Sequence, residues 1–139
     1  NNLEGIESLL SQVNGQQGQW FLQPFHSEIA QGEISLIFFN KKFSHGLLKR
    51  PKVGDFRSQE EFGSEILSYP PDSTEISFAE NILQKISEDL LYARVDYIVV
   101  DNQPQLMELE LVEPALYFRT HPEAENNFIR AIQTHLRGE

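Results

Sequence analysis

Two apolar runs in the second half of the chain constrain its fold most. Tyr92 to Val100 and Leu106 to Val112 are separated by a short segment of turn-forming residues, Asp101 to Pro104. Such runs, bounded by Asp, Asn and Pro, predict two β-strands joined in a hairpin. In the second run Glu108 and Glu110 alternate with leucines, so both carboxylates leave one face and the leucines pack on a core. The pattern therefore predicts an antiparallel sheet with an acidic face.

Asp96 lies on the first strand of this hairpin. Directly opposite residues of an antiparallel pair share a face, and their numbers sum to a constant. Asp96 joins Glu108 and Glu110 only if that sum is even, which predicts a hairpin loop with an odd number of residues. A two-residue loop would turn Asp96 to the other face. The sequence thus makes a register prediction that coordinates can test.

Three carboxylates on one face repel one another, and protonation, cationic neighbours or a metal must offset that cost. Oxygen ligands of this kind select Mg²⁺ or Mn²⁺. Arg94 precedes Asp96 by two residues, points to the same side, and could stabilise charge that develops in a reaction. The spacing by itself favours a plainer interpretation, a solvated polar face with an arginine–carboxylate bridge. A carboxylate pair of the glycosidase type is a weaker third interpretation.

The rest of the chain predicts an α+β fold with an antiparallel β-sheet packed against helices. Further strands are predicted at Trp20 to Phe25, Ile34 to Phe39 and, after a three-residue turn at Asn40 to Lys42, Phe43 to Lys49. Apolar residues at helical spacing predict helices at Leu3 to Val13, at Ile76 to Leu90 after a cap near Asp72 and Ser73, and from Pro122 onward with Phe128, Ile132 and Leu136 inward. Arg50 to Pro71 predicts a long surface loop. The length of 139 residues fits a single domain.

The charge balance excludes two classes of partner. There are 21 acidic and 11 basic side chains, a net charge of −10, which argues against nucleic acid and against an anionic membrane. A few local cations can still hold a triphosphate. The absence of cysteine excludes disulfides and thiolate chemistry and fits a cytoplasmic location. Assembly into a homo-oligomer stays open.

Two motifs carry a resemblance to a known family. Arg94-Val95-Asp96, followed by Leu106-Met107-Glu108-Leu109-Glu110-Leu111-Val112-Glu113-Pro114, resembles the metal-binding end of the ATP-grasp superfamily, nearest to glutathione synthetase-like and related amino-acid ligases. Phe43 to Arg57, with its Lys-Arg-Pro and Gly-Asp-Phe-Arg segments, is similar to the phosphate- and substrate-side loop of that family. The resemblance runs from about Gln23 to the end and implies the C-terminal, nucleotide- and metal-binding part of an ATP-grasp fold.

The resemblance also implies roles for individual residues. Asp96, Glu108 and Glu110 stand where the family binds two Mg²⁺ ions that bridge ATP phosphates, and Glu110 takes a place where relatives often have Asn. Arg94 matches an arginine that some of these ligases use near the tetrahedral transition state. These four residues form the implied metal and catalytic centre.

Further positions match the nucleotide side of the family. The implied ATP-binding residues are Gln23, Pro24 and Phe25 at the adenine hinge, Glu33 at the ribose hydroxyls and Lys49 beside the phosphates. Arg57 matches a catalytic arginine that faces the phosphates or the acyl substrate. Ser35 stands where the family usually has an arginine, which weakens the expected phosphate grip.

Each of these positions has a plainer interpretation. Phe25 could belong to a core strand, Glu33 and Lys49 could be surface strand charges, and Arg57 could anchor its own loop to Asp55 or Glu60. The four histidines have no spacing typical of a metal cage or a catalytic triad, so His45 and the others are predicted to be structural or surface residues.

The function implied is ATP-dependent ligation of a small carboxylate to an amine through an acylphosphate, with ATP and Mg²⁺ or Mn²⁺ bound. The family also uses lysines and a Gly-rich loop before the adenine hinge, whereas residues 1–19 contain no Lys or Arg. We therefore expect weak or no catalysis from this chain alone. The alternative is a non-catalytic ATP-grasp-derived module that binds a partner or a divalent cation.

Overall fold

The structure is a computed structural model that describes residue 5 and residues 23–58 and 60–137. Five strands form one sheet in the order β3-β2-β1-β4-β5, and each neighbouring pair is antiparallel. The strands are β1 (Glu33–Phe39), β2 (Lys42–Arg50), β3 (Glu65–Tyr69), β4 (Tyr92–Val100) and β5 (Gln103–Glu110), and the helices are α1 (Ser73–Leu83) and α2 (Ala124–Arg137). Short 3-10 helices lie at Ser27–Gln31, Glu60–Phe62 and Phe118–Thr120. The predicted α+β class with an antiparallel sheet is confirmed.

The β1–β2 hairpin closes with a tighter turn than the sequence predicts. Phe39 pairs with Lys42, so the loop has only two residues, Asn40 and Lys41, with φ of 47° and 59°. Positive φ at both positions is the geometry that matches the twist of antiparallel strands in two-residue hairpins. The predicted three-residue loop is therefore wrong, while the strand predicted from Ile34 to Phe39 is confirmed.

The segment predicted as a long surface loop contains regular structure. Strand β3 pairs along β2, from Gly46 opposite Tyr69 to Arg50 opposite Glu65. No residue of β3 is fully buried, because it is the edge strand. Five residues with one half-buried apolar pair, Ile66 and Leu67, carry too little periodicity to predict a strand. Consequently β2 has neighbours on both sides and is an interior strand.

The predicted cap of α1 is confirmed. Asp72 accepts hydrogen bonds from the backbone N–H groups of Thr74 and Glu75, and the Glu75 carboxylate accepts one from the backbone N–H of Asp72, which completes a capping box. The helix ends at Leu83 and does not continue to Leu90 as predicted. Just after the helix the chain forms a tighter turn, in which the N–H of Lys85 donates to the carbonyl of Ile82. The Lys41 ammonium donates a hydrogen bond to the carbonyl of Ile86.

Helix α2 begins at Ala124, two residues after the predicted Pro122. Phe128 packs against the sheet as predicted, together with Ala131, but Leu136 is 81% exposed, so its predicted inward position is wrong. At about 100° per residue, Leu136 is turned well away from the side on which Phe128 and Ala131 pack. Ile132 is half-buried.

The predicted strand from Trp20 to Phe25 is wrong where it can be compared. Trp20 lies outside the described residues, as does the predicted helix at Leu3 to Val13 apart from Gly5, which is helical. Residues 23–26 have no regular structure, and Phe25 is 73% exposed. Pro24 offers no N–H for pairing, and the Phe25 ring lies edge-on to Phe56 with centroids 6.2 Å apart.

The sheet has an apolar core on each face. On one face Leu36, Phe38 and Val95 pack with Ala79 and Leu83 of α1. On the other face Ile37, Phe39 and Leu47 pack with Ala131 and Phe128 of α2. Because side chains alternate along a strand, this second face also carries Glu33, Lys49 and Asp96 at its far end. Among the described residues no helix is long and apolar enough to cross a membrane.

Candidate functional site

The β4–β5 hairpin places Asp96 on the face of Glu108 and Glu110 through a β-bulge, and not through an odd-length loop. Val100 pairs with Gln103, so the loop has two residues, Asp101 and Asn102, and the predicted odd-length loop is wrong. A two-residue loop should send Asp96 to the other face, yet Asp96 lies directly opposite Glu108. The register shifts between Asp96 and Tyr97, because Tyr97 pairs with Leu106 and leaves Met107 as an extra residue. This β-bulge restores the shared face.

The three carboxylates converge as the sequence predicts. Asp96, Glu108 and Glu110 each offer one oxygen, and these oxygens lie within 4.8 Å of one another. Asp96 is fully buried at the floor, whereas the side chains of Glu108 and Glu110 are 56% and 29% exposed at the rim. The set is all oxygen and open on one side, as Mg²⁺ and Mn²⁺ sites require.

Lys49 bridges the floor of the site. Its ammonium lies 2.7 Å from a carboxylate oxygen of Glu33 and 2.9 Å from one of Asp96, and the residue is only 3% exposed. Ser58 donates a further hydrogen bond of 3.1 Å to Glu33. Burial lowers the pKa of Lys49, but the charges of Asp96 and Glu33 outweigh burial and raise it overall. Glu33 and Lys49 are therefore buried partners, and their plainer interpretation as surface charges is wrong.

Arg94 links the floor to the rim. Its Nε and Nη2 each donate a 2.9 Å hydrogen bond to the Asp96 carboxylate, and Nη2 also contacts the Glu110 carboxylate. Glu108 lies farther off, at 3.8 Å. Burial lowers the pKa of Arg94, and its hydrogen bonds and charge contact with Asp96 raise it overall. The arginine–carboxylate bridge exists, but at a buried position and not on a solvated face.

The site carries more negative than positive charge. Two cations, Lys49 and Arg94, face the carboxylates of Glu33, Asp96, Glu108 and Glu110. Two negative charges stay in excess when all are ionised. Burial and then the charges of Glu110 and Asp96 raise the pKa of Glu108. The donor set and its excess charge fit one divalent cation.

Two cavities meet at Glu33. One of about 430 Å³ has a lining that comprises Glu33, Lys49, Arg94, Glu108 and Glu110 of the site together with Glu60, Glu61, Ala115 and Tyr117. The other, of about 270 Å³, is lined by Glu33, Arg57 and Met107 along with the three residues predicted at the adenine hinge, Gln23, Pro24 and Phe25. The structure thus brings four of the five predicted ATP-binding residues to one cavity, while the fifth, Lys49, lines the other. The assignment of roles to these residues stays a prediction.

Arg57 lies at the edge of this second cavity, but its guanidinium is paired with Asp55 of its own loop. Its guanidinium grips the Asp55 carboxylate with hydrogen bonds of 2.7 and 3.0 Å and lies 4.0 Å from the centre of the Phe62 ring. These hydrogen bonds hold the pKa of Asp55 far below its usual value and raise the pKa of Arg57. Anchoring of its own loop, the plainer interpretation, is what the structure shows.

Several participants escape sequence reasoning. Ser58, Ala115 and Tyr117 contact Glu33 or Arg94 through irregular segments that carry no periodic signal. Ser35, where the resemblance expects an arginine, lies directly opposite Asp96, and its buried hydroxyl has no hydrogen-bond partner among the described residues. His45 lies outside both cavities and bonds to Ser44 and to the Leu116 carbonyl, as expected of a structural residue.

Comparison with solved structures identifies the architecture. No protein-family model and no curated protein sequence matches the chain. D-cycloserine synthetase is 21% identical with a TM-score of 0.63, over 82% of this chain and 41% of that one. D-alanine–D-alanine ligase from Bacillus anthracis, complexed with ATP, is 20% identical with a TM-score of 0.57, over 96% of this chain and 47% of that one. Both are ATP-grasp ligases.

The chain has part of the ATP-grasp fold. A second structure of the Bacillus anthracis ligase gives the same result, with a TM-score of 0.55 and 18% identity. The chain spans less than half the length of each of these proteins. The ATP-grasp fold that the sequence resemblance implies is thus matched by the arrangement of the described residues.

Proposed function

We propose that this chain is the nucleotide- and metal-binding C-terminal part of an ATP-grasp carboxylate–amine ligase. The observation that carries the proposal is the convergence of Asp96, Glu108 and Glu110 within 4.8 Å, beside two buried cations. Burial of the Asp96 carboxylate carries a desolvation cost even though Lys49 and Arg94 pair with it. A charge kept at that cost supports a functional role for this position. The relatives' fold supports ATP as the nucleotide, and we further propose a cytoplasmic location, which the lack of cysteine favours.

In the proposed complex, the base and ribose of ATP occupy the cavity lined by Gln23, Pro24, Phe25 and Glu33. This cavity joins the carboxylate site at Glu33, so the triphosphate extends toward Asp96. The Glu33 carboxylate accepts hydrogen bonds from ribose hydroxyls. Lys49 balances phosphate charge from the floor, where Asp96 and Glu33 keep it protonated.

Asp96, Glu108 and Glu110 would hold Mg²⁺ or Mn²⁺, and the ion would supply neutralisation of phosphate charge. The protein's own contribution is mainly positioning and fixed charge. Arg94, tied to both Asp96 and Glu110, holds these ligands in place and offers its guanidinium to charge that develops nearby. Arg57 can reach a substrate carboxylate only by releasing Asp55.

The proposed reaction has two steps. A carboxylate oxygen of the substrate attacks the γ-phosphorus of ATP, and ADP leaves with the electrons of the broken bond. An amine then attacks the acyl carbon of the resulting acylphosphate, and inorganic phosphate leaves as the amine loses its proton. The acyl substrate is a small carboxylate.

The second candidate is a non-catalytic ATP-grasp-derived module that binds a partner or a divalent cation. One observation favours it: Arg57 is already paired with Asp55. Both candidates predict that the carboxylate cluster binds a divalent cation. Only the first predicts that a nucleotide joins it.

Calorimetric titration of a non-hydrolysable ATP analogue in the presence of Mg²⁺ separates the two. We expect saturable binding to the wild type and at least about tenfold weaker binding to Glu108→Gln and Glu110→Gln, since each removes a charged ligand. Glu113→Gln, an exposed carboxylate beside the site, is the matched control and should bind as the wild type does. Mg²⁺ binding without nucleotide binding would favour the second candidate and contradict the first.

A further inference from the structure

A further cavity lies away from the carboxylate site. It has a volume of about 470 Å³ and lies between the β1–β2 turn and helix α2. Its lining includes Phe39 and Ala131, while Lys42 and Arg130 stand at its polar side. The cavity shares no lining residue with the two cavities that meet at Glu33.

The charge of this cavity is opposite to that of the chain. No carboxylate of the described residues lines it, although the chain has 21 acidic and 11 basic side chains. In the described part of the chain, the side chains of Lys42 and Thr134 have no ion-pair or hydrogen-bond partner. Arg130 donates to Asn127 and approaches its nearest carboxylate, that of Glu123, only to 4.0 Å. The side chain of Arg130 is 64% exposed and can turn toward a ligand.

We propose that this cavity binds a small organic anion, a carboxylate or phosphate group carried on an apolar body. The anionic group is held by Lys42 and Arg130, and Thr134 adds a hydroxyl donor. Charge-assisted hydrogen bonds to an anion are roughly twice as strong as neutral ones, so two cations give the site its selectivity. The apolar body packs beside Phe39 and Ala131, which line the cavity. Apolar pockets with a few convergent polar groups are the usual form of small-molecule sites.

A hydrogen-bond relay connects this cavity to the carboxylate site. The Asn127 amide donates to Ser44 at 3.0 Å, Ser44 lies 2.9 Å from Nδ1 of His45, and Nε2 of His45 lies 2.9 Å from the carbonyl of Leu116. A carbonyl only accepts, so Nε2 carries the proton and donates it. When the ring is neutral, Nδ1 accepts from the Ser44 hydroxyl. Burial keeps the pKa of His45 below its usual value, which favours this neutral form.

The far end of the relay is next to Arg94. Leu116 lies between Ala115, whose carbonyl is 3.4 Å from Nη1 of Arg94, and Tyr117, whose ring centre is 6.0 Å from the guanidinium carbon. An anion that draws Arg130 away from Asn127 changes the hydrogen bond that Asn127 makes with Ser44. Anion binding in the cavity therefore alters the environment of the loop that carries Ala115 and Tyr117. A substitution within the relay tests this coupling.

A titration with benzoate, followed through the backbone amide signals in ¹H–¹⁵N NMR spectra, tests the binding. We expect saturable shifts at Phe43, Ser44 and Ala131, and about tenfold weaker binding to Lys42→Gln and to Arg130→Gln. Benzyl alcohol, a neutral molecule of similar size, should bind at least about tenfold more weakly to the wild type. Arg137→Gln, an exposed change on the same helix, is the matched control and should leave benzoate binding unchanged.

Benzoate shifts centred on Lys49 and Arg57 would place the anion in the proposed nucleotide site and overturn the inference. A Lys42→Gln/Arg130→Gln double variant that binds benzoate with wild-type affinity would also overturn it. The absence of saturable shifts would overturn it as well, whether or not nucleotide binds elsewhere. For the relay, Ser44→Ala should still bind benzoate but lose the shifts at Leu116 and Tyr117. Retention of those shifts in Ser44→Ala would refute the relay.

Discussion

Replacing Lys49 with methionine isolates the cost of the buried charge at the site floor. The ammonium of Lys49 is the partner of Glu33 at 2.7 Å and of Asp96 at 2.9 Å, and the side chain is 4% exposed. Methionine keeps most of the apolar volume, so the change removes charge more than packing. Two carboxylates with side-chain exposures of 10% and 0% then lose their shared cation.

The magnitude follows from what each carboxylate retains. Breaking a buried ion pair by removing one partner costs about 3–5 kcal/mol. Asp96 keeps Arg94, and Glu33 keeps the hydroxyl of Ser58. We therefore expect a loss near the lower end, about 3 kcal/mol of unfolding free energy.

Urea unfolding followed by circular dichroism, in EDTA so that no divalent cation replaces the ammonium, gives the measurement. Arg50→Met is the matched control, because Arg50 is the next residue on β2 and pairs with Glu65 at the surface, with exposures of 50% and 60%. An exposed pair contributes at most about 1 kcal/mol. Adding Glu33→Gln to Lys49→Met should recover part of the loss, since it removes an unpaired charge. If Lys49→Met costs no more than Arg50→Met, the ion-paired floor described here is refuted.

Two further changes test the site and its support. The pKa of Glu108 is raised, so its protonated form stabilises the fold below about pH 4.5 and this contribution is lost as the pH rises. In EDTA, Glu108→Gln should therefore unfold at a higher urea concentration than the wild type at pH 7, and at the same concentration near pH 4. Equal unfolding midpoints at pH 7 would contradict the excess of negative charge at the site. Tyr97, fully buried, donates a 2.8 Å hydrogen bond to Glu75, so Tyr97→Phe should cost about 1.5 kcal/mol in urea unfolding. Tyr92→Phe, which removes an exposed bond to a neutral carbonyl, should cost less, and the reverse order would refute the role of the Glu75 contact.

The parts of the fold that the sequence predicts well are those with strong periodicity or clear punctuation. Strand β4 has the predicted bounds, Tyr92–Val100, because it is a continuous apolar run between turn residues. The cap at Asp72 follows from local chemistry, since a carboxylate at that position satisfies free N–H groups of the helix. Alternation along β5 places Glu108 and Glu110 on one face, and that inference needs no tertiary information.

The errors arise where pairing between distant segments decides the outcome. Nothing about Met107 marks it as the extra residue of a bulge, yet the bulge is what returns Asp96 to the face of the glutamates. Because the sequence pattern does not predict β3, it indicates that β2 is an edge strand and that Lys49 is a surface charge. Once β3 covers β2, Lys49 is buried and needs the partners that β1 and β4 supply. Local patterns therefore predict which carboxylates share a face, and strand order decides which cations neutralise them.

The most direct measurement of the central claim is anomalous diffraction from crystals of the chain soaked with MnCl₂ and a non-hydrolysable ATP analogue. The account predicts an anomalous peak in direct contact with carboxylate oxygens of Asp96, Glu108 and Glu110, with the analogue's phosphates on the open side and its base in the cavity beside Glu33. The same soak of Glu110→Gln should lose or weaken the peak. Full manganese occupancy elsewhere, with the three carboxylates still bound only to Lys49 and Arg94, would contradict the account.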